Sequence, residues 1–239
     1  MTAIYKRELR AYFSTGLGYV FCAVFLGLTG FAFSMFTLQP AIGGSDMSLP
    51  VYYSIVIIAL VVLLPILTMK SFAEERKSKT EQLLLTAPVS LTSMVCGKFF
   101  AALTVFAGCL AATCSYYTVI ALYCEKPNFG VLYGYIIGIF CLGSAFIAIG
   151  IFVSALTQNQ LSAAVGTMGV LIVMIGVGFL NSYIDSIFVR TVLSWISLYD
   201  RFERFCYGQF DFVALLYYIS VCFAFIFLTV RVYEKRRWA

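Results

Sequence analysis

The sequence predicts an all-α protein that crosses a membrane six times as one domain over residues 1–239. Of its residues, 62% are hydrophobic and 11% are charged, whereas an ordinary soluble domain carries roughly 25% charged residues. Apolar runs long enough to cross a bilayer, about 17 to 25 residues, occur six times. The predicted spans are Leu17–Leu38, Val51–Met69, Val95–Tyr123, Val131–Leu156, Leu161–Leu180 and Phe212–Val230.

The distribution of basic residues predicts the orientation of these spans, because Lys and Arg accumulate on the cytoplasmic side. With the N-terminus inside, twelve basic residues face the cytoplasm, and the outer side keeps four: Lys126, Arg190, Arg201 and Arg204. We therefore expect a multi-pass protein of the cell (cytoplasmic) membrane with both termini in the cytoplasm. The net charge of +5 reflects this asymmetry and attraction to anionic headgroups, so it does not predict nucleic-acid binding.

Residues 1–16 predict an amphipathic helix at the inner membrane interface. At 100° per residue its apolar positions share one half of the helical wheel, and three basic residues occupy the other half. The apolar set is Ile4, Tyr5, Leu9, Tyr12 and Phe13; the basic set is Lys6, Arg7 and Arg10. Glu8 is the one charge on the apolar side. Gly16 and Gly18 permit a bend into the first span.

The segment 70–94 between the second and third spans predicts a structured cytoplasmic loop. Ser78 and Glu81 form an S-x-x-E capping box ahead of three leucines, and Pro88 ends that short helix. Ser90 can cap the next helix. Exposed leucines on a short capped helix either bind a groove on another protein or fold back onto this chain's own surface; the local pattern leaves both readings open.

The outer segment 181–211 is too long to lack structure in a compact protein. Its aromatic residues alternate with charges, which predicts one or two short helices that re-enter the outer interface, or else an ordinary aromatic belt. These aromatic residues include Trp195, Phe202, Phe205 and Phe210. Among the eight cysteines, Cys124 and Cys206 fall on the outer side together, so a disulfide between them stays open.

Two other functional classes fit the sequence poorly. An intramembrane enzyme could use the adjacent Glu74 and Glu75, but the chain has no histidine to bind a metal or act as a base, and no G-x-S-x-G motif. An ion-coupled carrier ordinarily places ionisable groups at mid-membrane, and we expect none at that depth in the six spans. Energy for transport would therefore enter from outside the bilayer.

A run of short motifs carries a resemblance to a known family. The order is Glu-Arg-Lys, Thr80-Glu81, Leu83-Leu84, Pro88-Val89-Ser90 and Gly97-Lys98. It is similar to the second-to-third-helix region of type-2 ABC transporter permeases, above all the GldF-like and NosY-like branch, where the pattern runs roughly E-R, G-T-x-E-x-L-L, P-V-S and G-K-F. Lys79 replaces the usual glycine. The C-terminal end, from SLYDRFERFCYGQF onward, also resembles the family.

This resemblance implies an export permease that works as a dimer of six-helix subunits, with a second subunit that is the same or a related chain. The motor is expected in a separate cytoplasmic ABC ATPase that holds ATP and Mg, because the sequence lacks G-x-x-x-x-G-K-[ST]. We expect no cofactor, metal or catalytic residue in this chain. The resemblance implies coupling to the ATPase through Glu74, Glu75, Thr80, Glu81, Leu83, Leu84, Pro88 and Ser90.

The substrate is the least determined part of this reading. Spans rich in Phe, Tyr, Ile and Leu suit a hydrophobic or amphipathic substrate better than a small ion. An accessory extracytoplasmic protein is a further partner that the family allows, beside the lipid bilayer. The alternative is an ABC-type membrane subunit that transmits force or regulates a partner without moving cargo. A more distant alternative is an intramembrane enzyme.

Overall fold

The computed structural model describes residues 2–42, 49–78, 90–123, 129–181, 197–206 and 211–238. Regular structure within these ranges is helical throughout. The helices are α1 (Thr2–Ser14), α2 (Leu17–Phe33), a π-helical turn (Ser34–Leu38), α3 (Gln39–Ile42), α4 (Leu49–Thr68), α5 (Lys70–Lys77), α6 (Leu91–Thr113), α7 (Ser115–Tyr123), α8 (Phe129–Leu156), α9 (Gln160–Asn181), α10 (Leu198–Cys206) and α11 (Phe212–Trp238).

Six stretches of helix are long and apolar enough to cross a membrane, so the predicted all-α fold with six spans is confirmed. They are Leu17–Leu38, Leu49–Lys77, Leu91–Ile120, Leu132–Leu156, Gln160–Gly178 and Phe212–Arg237. The second and sixth extend well past their predicted ends at Met69 and Val230. The apolar runs stop at the first charges, but Glu, Arg and Lys are good helix formers and prolong both helices.

Because the segment 70–94 begins with α5 and ends with the first turn of α6, only its middle lies between helices. The predicted short helix with Thr80, Glu81, Leu83, Leu84 and Pro88 lies outside the described residues. We call the end of the bundle that carries α1, α5, the start of α6 and the last turns of α8 and α11 the termini end.

Helix α8 is the centre of the bundle. It packs against α4, α5, α6, α9, α10 and α11, and the side chains of residues 145–149 are fully buried. Two glycines allow neighbouring helices to approach it closely, as expected for helix packing in membranes. A Cβ on Gly150 would lie 2.3 Å from Thr68 Oγ1, and one on Gly143 would lie 2.3 Å from Phe106 Cε1.

Helix α1 packs along α6. The Ile4 side chain lies against Gly97, where a Cβ would be 3.1 Å from Ile4 Cγ2, and the Tyr5 hydroxyl lies 3.0 Å from Thr104 Oγ1. The predicted bend between this helix and the first span occurs at Gly16, whose φ of +74° suits glycine. The location of α1 at a membrane leaflet stays a prediction.

At the opposite end of the bundle, α10 is the described part of the predicted re-entrant segment 181–211. Phe202 and Phe205 are buried and lie against Gly138 of α8, so these aromatic residues pack inside the protein instead of forming a belt. Tyr218 donates a hydrogen bond to the Leu198 carbonyl at 2.7 Å. Trp195, Phe210 and the proposed pairing of Cys124 with Cys206 lie outside what the structure describes.

Candidate functional site

A buried lysine joins three helices at the termini end. Lys98 of α6 is 1% exposed, and its Nζ donates to the Ser71 carbonyl at 2.7 Å and to Glu75 Oε1 at 2.8 Å. Glu8 Oε1 of α1 lies 3.2 Å from the same nitrogen. An ammonium group has three donors, and three acceptors surround this one. Burial of the charge is therefore compensated by hydrogen bonds and ion pairs.

Arg7 completes the arrangement, which we call the charge clamp: Arg7, Glu8, Glu75 and Lys98. Arg7 Nη2 lies 2.6 Å from Glu8 Oε1 and 3.1 Å from Glu75 Oε1. Glu75 Oε1 thus accepts from both cations, and two positive charges alternate with two negative ones. Hydrogen bonding to Glu8 raises the pKa of Arg7, so this guanidinium stays protonated at neutral pH.

The clamp explains two outliers of the sequence. Glu8 is the charge on the apolar side of α1 because it faces Lys98. Lys98 lies near the start of the third predicted span, about 10 Å along the helix from Leu91, and not at the mid-membrane depth where the sequence predicts no ionisable group. The sequence does hold a signal for this pair: Lys98 is a cation within an apolar run, and Glu8 is an acid on an apolar helix face.

A second set of charges caps the central helix. Arg236 of α11 donates from Nη2 to the Ala155 carbonyl at 2.7 Å, and Arg76 of α5 donates from Nη1 to the Leu156 carbonyl at 3.1 Å. These carbonyls are among the last four of α8, which have no partner within the helix. Two guanidinium groups at the negative end of the helix dipole stabilise α8. They also connect α5 and α11 to the end of α8.

Two aromatic rings in contact with each other connect the clamp to this cap. Lys98 Nζ lies 4.9 Å from the Phe72 ring centre, Phe72 lies 4.8 Å from Tyr233, and Arg236 Cζ lies 5.2 Å from the Tyr233 ring. Each cation over a ring gains energy from the negative ring face. A continuous series of contacts therefore runs from α1 through α6, α5 and α11 to the end of α8.

The junction between α4 and α5 is held by a single serine. Ser154 Oγ of α8 accepts from the backbone N–H groups of Phe72 at 3.1 Å and Ala73 at 3.2 Å, and donates to the Met69 carbonyl at 3.2 Å. A side chain that inserts into the hydrogen-bond ladder is a common cause of a helix break. The hydroxyl uses its donor and both lone pairs here, so α5 can change direction relative to α4 without orphaned backbone groups.

The predicted site residues divide into three groups. Glu74 is exposed on α5, and Glu75 lies in the charge clamp. Ser90 caps α6 as predicted: its backbone is extended, and its Oγ accepts from Ser93 N at 3.4 Å. The remaining members, Thr80, Glu81, Leu83, Leu84 and Pro88, lie outside the described residues, and their contact with an ATPase stays a prediction.

Ser78 has a different local role from the one predicted for the capping box. It ends α5, and its Oγ donates back to the Glu74 carbonyl at 2.9 Å. Its partner in the predicted box, Glu81, lies outside the described residues. The undescribed residues 79–89 are therefore flanked by two helix ends, each closed by a serine side chain.

Comparison with known proteins identifies the family. No curated protein matches the chain significantly. A family model described as ABC-2 family transporter protein matches residues 40–232, which include the second to fifth spans, α5 and most of the sixth span. Since this match covers most of the sequence, the chain belongs to the ABC-2 family of transporter proteins and is one of its membrane-embedded members.

Proposed function

We propose that the chain is the permease subunit of an ATP-driven exporter in the GldF-like and NosY-like branch, and that a separate cytoplasmic ABC ATPase supplies the energy. Family membership supports the transporter role, and the lack of a phosphate-binding loop in the sequence favours a separate motor. The observation that carries the proposal is the charge clamp, because it joins the helices on both sides of residues 79–89.

Force applied at residues 79–89 reaches the membrane helices through α5 and α6. Glu75 and Lys98 bind these two helices to each other, so they move together when the connecting segment moves. The serine-held junction at Ser154 lets α5 tilt on α4, and Arg76 passes that tilt to the end of α8. In this mechanism the predicted anchors Leu83 and Leu84 seat in the ATPase, and Glu74 faces its rim.

The packed interior of the described bundle favours a pathway between two permease subunits. The cavity bounded by α2, α4, α6 and α8 near Tyr53 and Tyr117 has a volume of about 10 Å³, which holds one water molecule at most. A hydrophobic or amphipathic substrate needs more room. Crosslinking in native membranes should capture two copies, or one copy and a related chain; permease monomers alone beside the ATPase would contradict this.

The proposed motor contact is tested by substituting Leu83 and Leu84 together with Asp. Burial of carboxylates in an apolar groove is strongly unfavourable, and loss of one anchor at an interface typically costs about 2 kcal/mol or more. The double variant should insert normally but lose most of the ATPase that copurifies with wild type. The matched control replaces both leucines with Met and should retain it. If the Asp variant retained as much ATPase as wild type, these leucines would be excluded as the coupling contact.

The proposed orientation is tested with single cysteines in a background that lacks the eight native ones. A cysteine at position 235 should react with an impermeant maleimide only after the cells are opened, because we place both termini in the cytoplasm. A cysteine at position 126 is the matched control and should react from outside. Labelling of position 235 in intact cells would overturn this topology.

A further inference from the structure

A cavity of about 300 Å³ lies beside the charge clamp and is lined in part by the clamp residues. Its walls come from one face of α1, the first residue of α2, the first turns of α5 and Lys98 of α6. Leu17 and Lys70, both in its lining, are the residues at which the first span begins and the second predicted apolar run has ended. The cavity therefore lies at the depth where apolar spans give way to charges.

The polar groups of this cavity are only partly matched within the chain. The four clamp residues neutralise one another, which leaves Lys70, Ser71 and Glu74 on α5. Within the described residues, Lys70 and Glu74 form no ion pair, and the Ser71 hydroxyl is buried without a hydrogen-bond partner. A buried hydroxyl without a partner is unusual, because its desolvation is costly, so it indicates a ligand that supplies an acceptor.

The unmatched groups fit a ligand that carries both signs of charge. A lone phosphate would meet three carboxylates, and a lone amine would meet three cations. Lys70 and Glu74 are one helical turn apart, with Cβ atoms about 6 Å from each other, a separation that the phosphate and ammonium of one phosphoethanolamine group can bridge. Lys70 and Ser71 would donate to the phosphate, and Glu74 would accept from the ammonium.

We propose that this cavity, between α1 and the start of α5, binds the headgroup of a phosphatidylethanolamine lipid through Lys70, Ser71 and Glu74. Leu17 and Ala11 provide an apolar wall for the glycerol and the first acyl carbons, which a free headgroup would leave uncovered. A quaternary choline ammonium has no N–H to give to Glu74, and a glycerol headgroup has no cation. The site therefore prefers ethanolamine lipids over both.

The test titrates the purified, detergent-solubilised chain with dihexanoyl phosphatidylethanolamine and measures bound lipid by native mass spectrometry. This lipid should bind about fivefold tighter than the phosphatidylglycerol or phosphatidylcholine analogue, the upper range for one exposed ion pair. K70A and E74Q should each weaken it by about the same factor, and S71A by about threefold through one lost hydrogen bond.

The matched control is K77A, because Lys77 is exposed on the same helix and does not line the cavity. It should bind the lipid like wild type. Equal affinities for the three lipids, or an unchanged affinity in both K70A and E74Q, would overturn the proposal. Binding of glycerophosphoethanolamine as tightly as the lipid would overturn the assignment to lipid. The experiment needs no ATPase, so its outcome is independent of the proposed function.

Discussion

At the termini end, many contacts between helices are made by charged side chains to carbonyls and carboxylates, whereas at the opposite end many are made by aromatic rings on one another. Lys98 has a carbonyl and two carboxylates around it. At the other end, Tyr53 stacks on Tyr135 with ring centres 3.8 Å apart, and Phe33 contacts both Tyr52 and Tyr116. The proposed coupling segment belongs to the charged end.

The two kinds of contact respond differently to loss of a single group. Aromatic packing depends mainly on buried area and ring geometry, so removal of one hydroxyl leaves most of it intact. A charge network depends on every member, because removal of one ion leaves its partners buried without compensation. Single substitutions should therefore disturb the termini end more than the opposite end, and the predictions below test that difference.

The largest effect is expected for K98M, which keeps an unbranched apolar side chain but removes its charge. Glu8 and Glu75 would then share only Arg7 as a cation, and breaking a buried ion pair typically costs about 3 to 5 kcal/mol. The melting temperature of the solubilised protein should fall, and trypsin should cut α1 faster at Arg7 and Arg10. K77M makes the same change at an exposed site on α5 and should behave like wild type.

Further substitutions sharpen this result. In the triple variant E8Q/E75Q/K98M no buried charge lacks a partner, so part of the lost stability should return. If K98M melted like K77M, the charge clamp would not hold the termini end together. If the triple variant were less stable than K98M alone, the cost would come from lost packing or hydrogen bonds and not from uncompensated charge.

A smaller loss of stability is expected for G150A, which changes the contact between α8 and α4 next to the termini end. The new Cβ would lie 2.3 Å from Thr68 Oγ1 and 3.0 Å from Thr68 Cβ, and overpacking of this kind costs about 1 to 3 kcal/mol. G169A is the matched control, because a Cβ there meets nothing within 4 Å.

Truncation of the Thr68 side chain tests whether steric contact with it causes the loss in G150A. T68A removes the atom that the new methyl group would strike, so adding G150A to T68A should lower the melting temperature less than adding it to wild type. Equal losses in the two backgrounds would mean that steric contact with Thr68 is not the reason.

The sequence predicted the elements of this fold well because their signals are local. Runs of apolar residues defined six spans, Gly16 marked the bend after α1, and Ser90 marked the start of α6. Their ends were less accurate, since α5 and the last turns of α11 are charged helices that a hydropathy pattern cannot separate from loops. What stabilises them, Arg76 and Arg236 on the carbonyls of α8, is a tertiary contact.

The candidate site was harder to predict for the same reason. The contact of Glu75 with a partner protein stays a prediction, and within this chain the structure pairs it with Lys98, which lies 23 positions away. The sequence pattern gave Lys98 no role beyond its place in the Gly97-Lys98 motif, because its ion-pair partners depend on how α1 packs on α6. The local hints of this arrangement were Glu8, the exception on the apolar side of α1, and Lys98, a cation within an apolar run.

At the opposite end, Y53F should lower the stability of the protein less than K98M or G150A does. The Tyr53 and Tyr117 hydroxyls form a hydrogen bond, and removal of one leaves the other part-buried and unpaired, at a cost of about 1 kcal/mol. The stacking on Tyr135 remains. Y133F changes an exposed tyrosine and serves as the control in the same melting experiment.

A double substitution separates the hydroxyl pair from the rings. Y53F/Y117F removes both partners, so it should be close to neutral relative to either single variant. A loss from Y53F as large as that from K98M would contradict the distinction between the two ends.

The smallest effect is expected for S90A, which removes the cap of α6 two turns before Lys98. Loss of a serine cap costs about 0.5 to 1 kcal/mol at an exposed helix start, and the affected donor is the backbone N–H of Ser93. Amide exchange of Ser93 should accelerate while the melting temperature stays within about a degree or two of wild type, because fraying is confined to the first turn. S90D should restore protection, since aspartate caps equally well. Should S90A instead melt as early as K98M, the start of α6 would depend on its cap more than on the charge clamp, and the stability of the termini end would have to be assigned to the helix that follows residues 79–89.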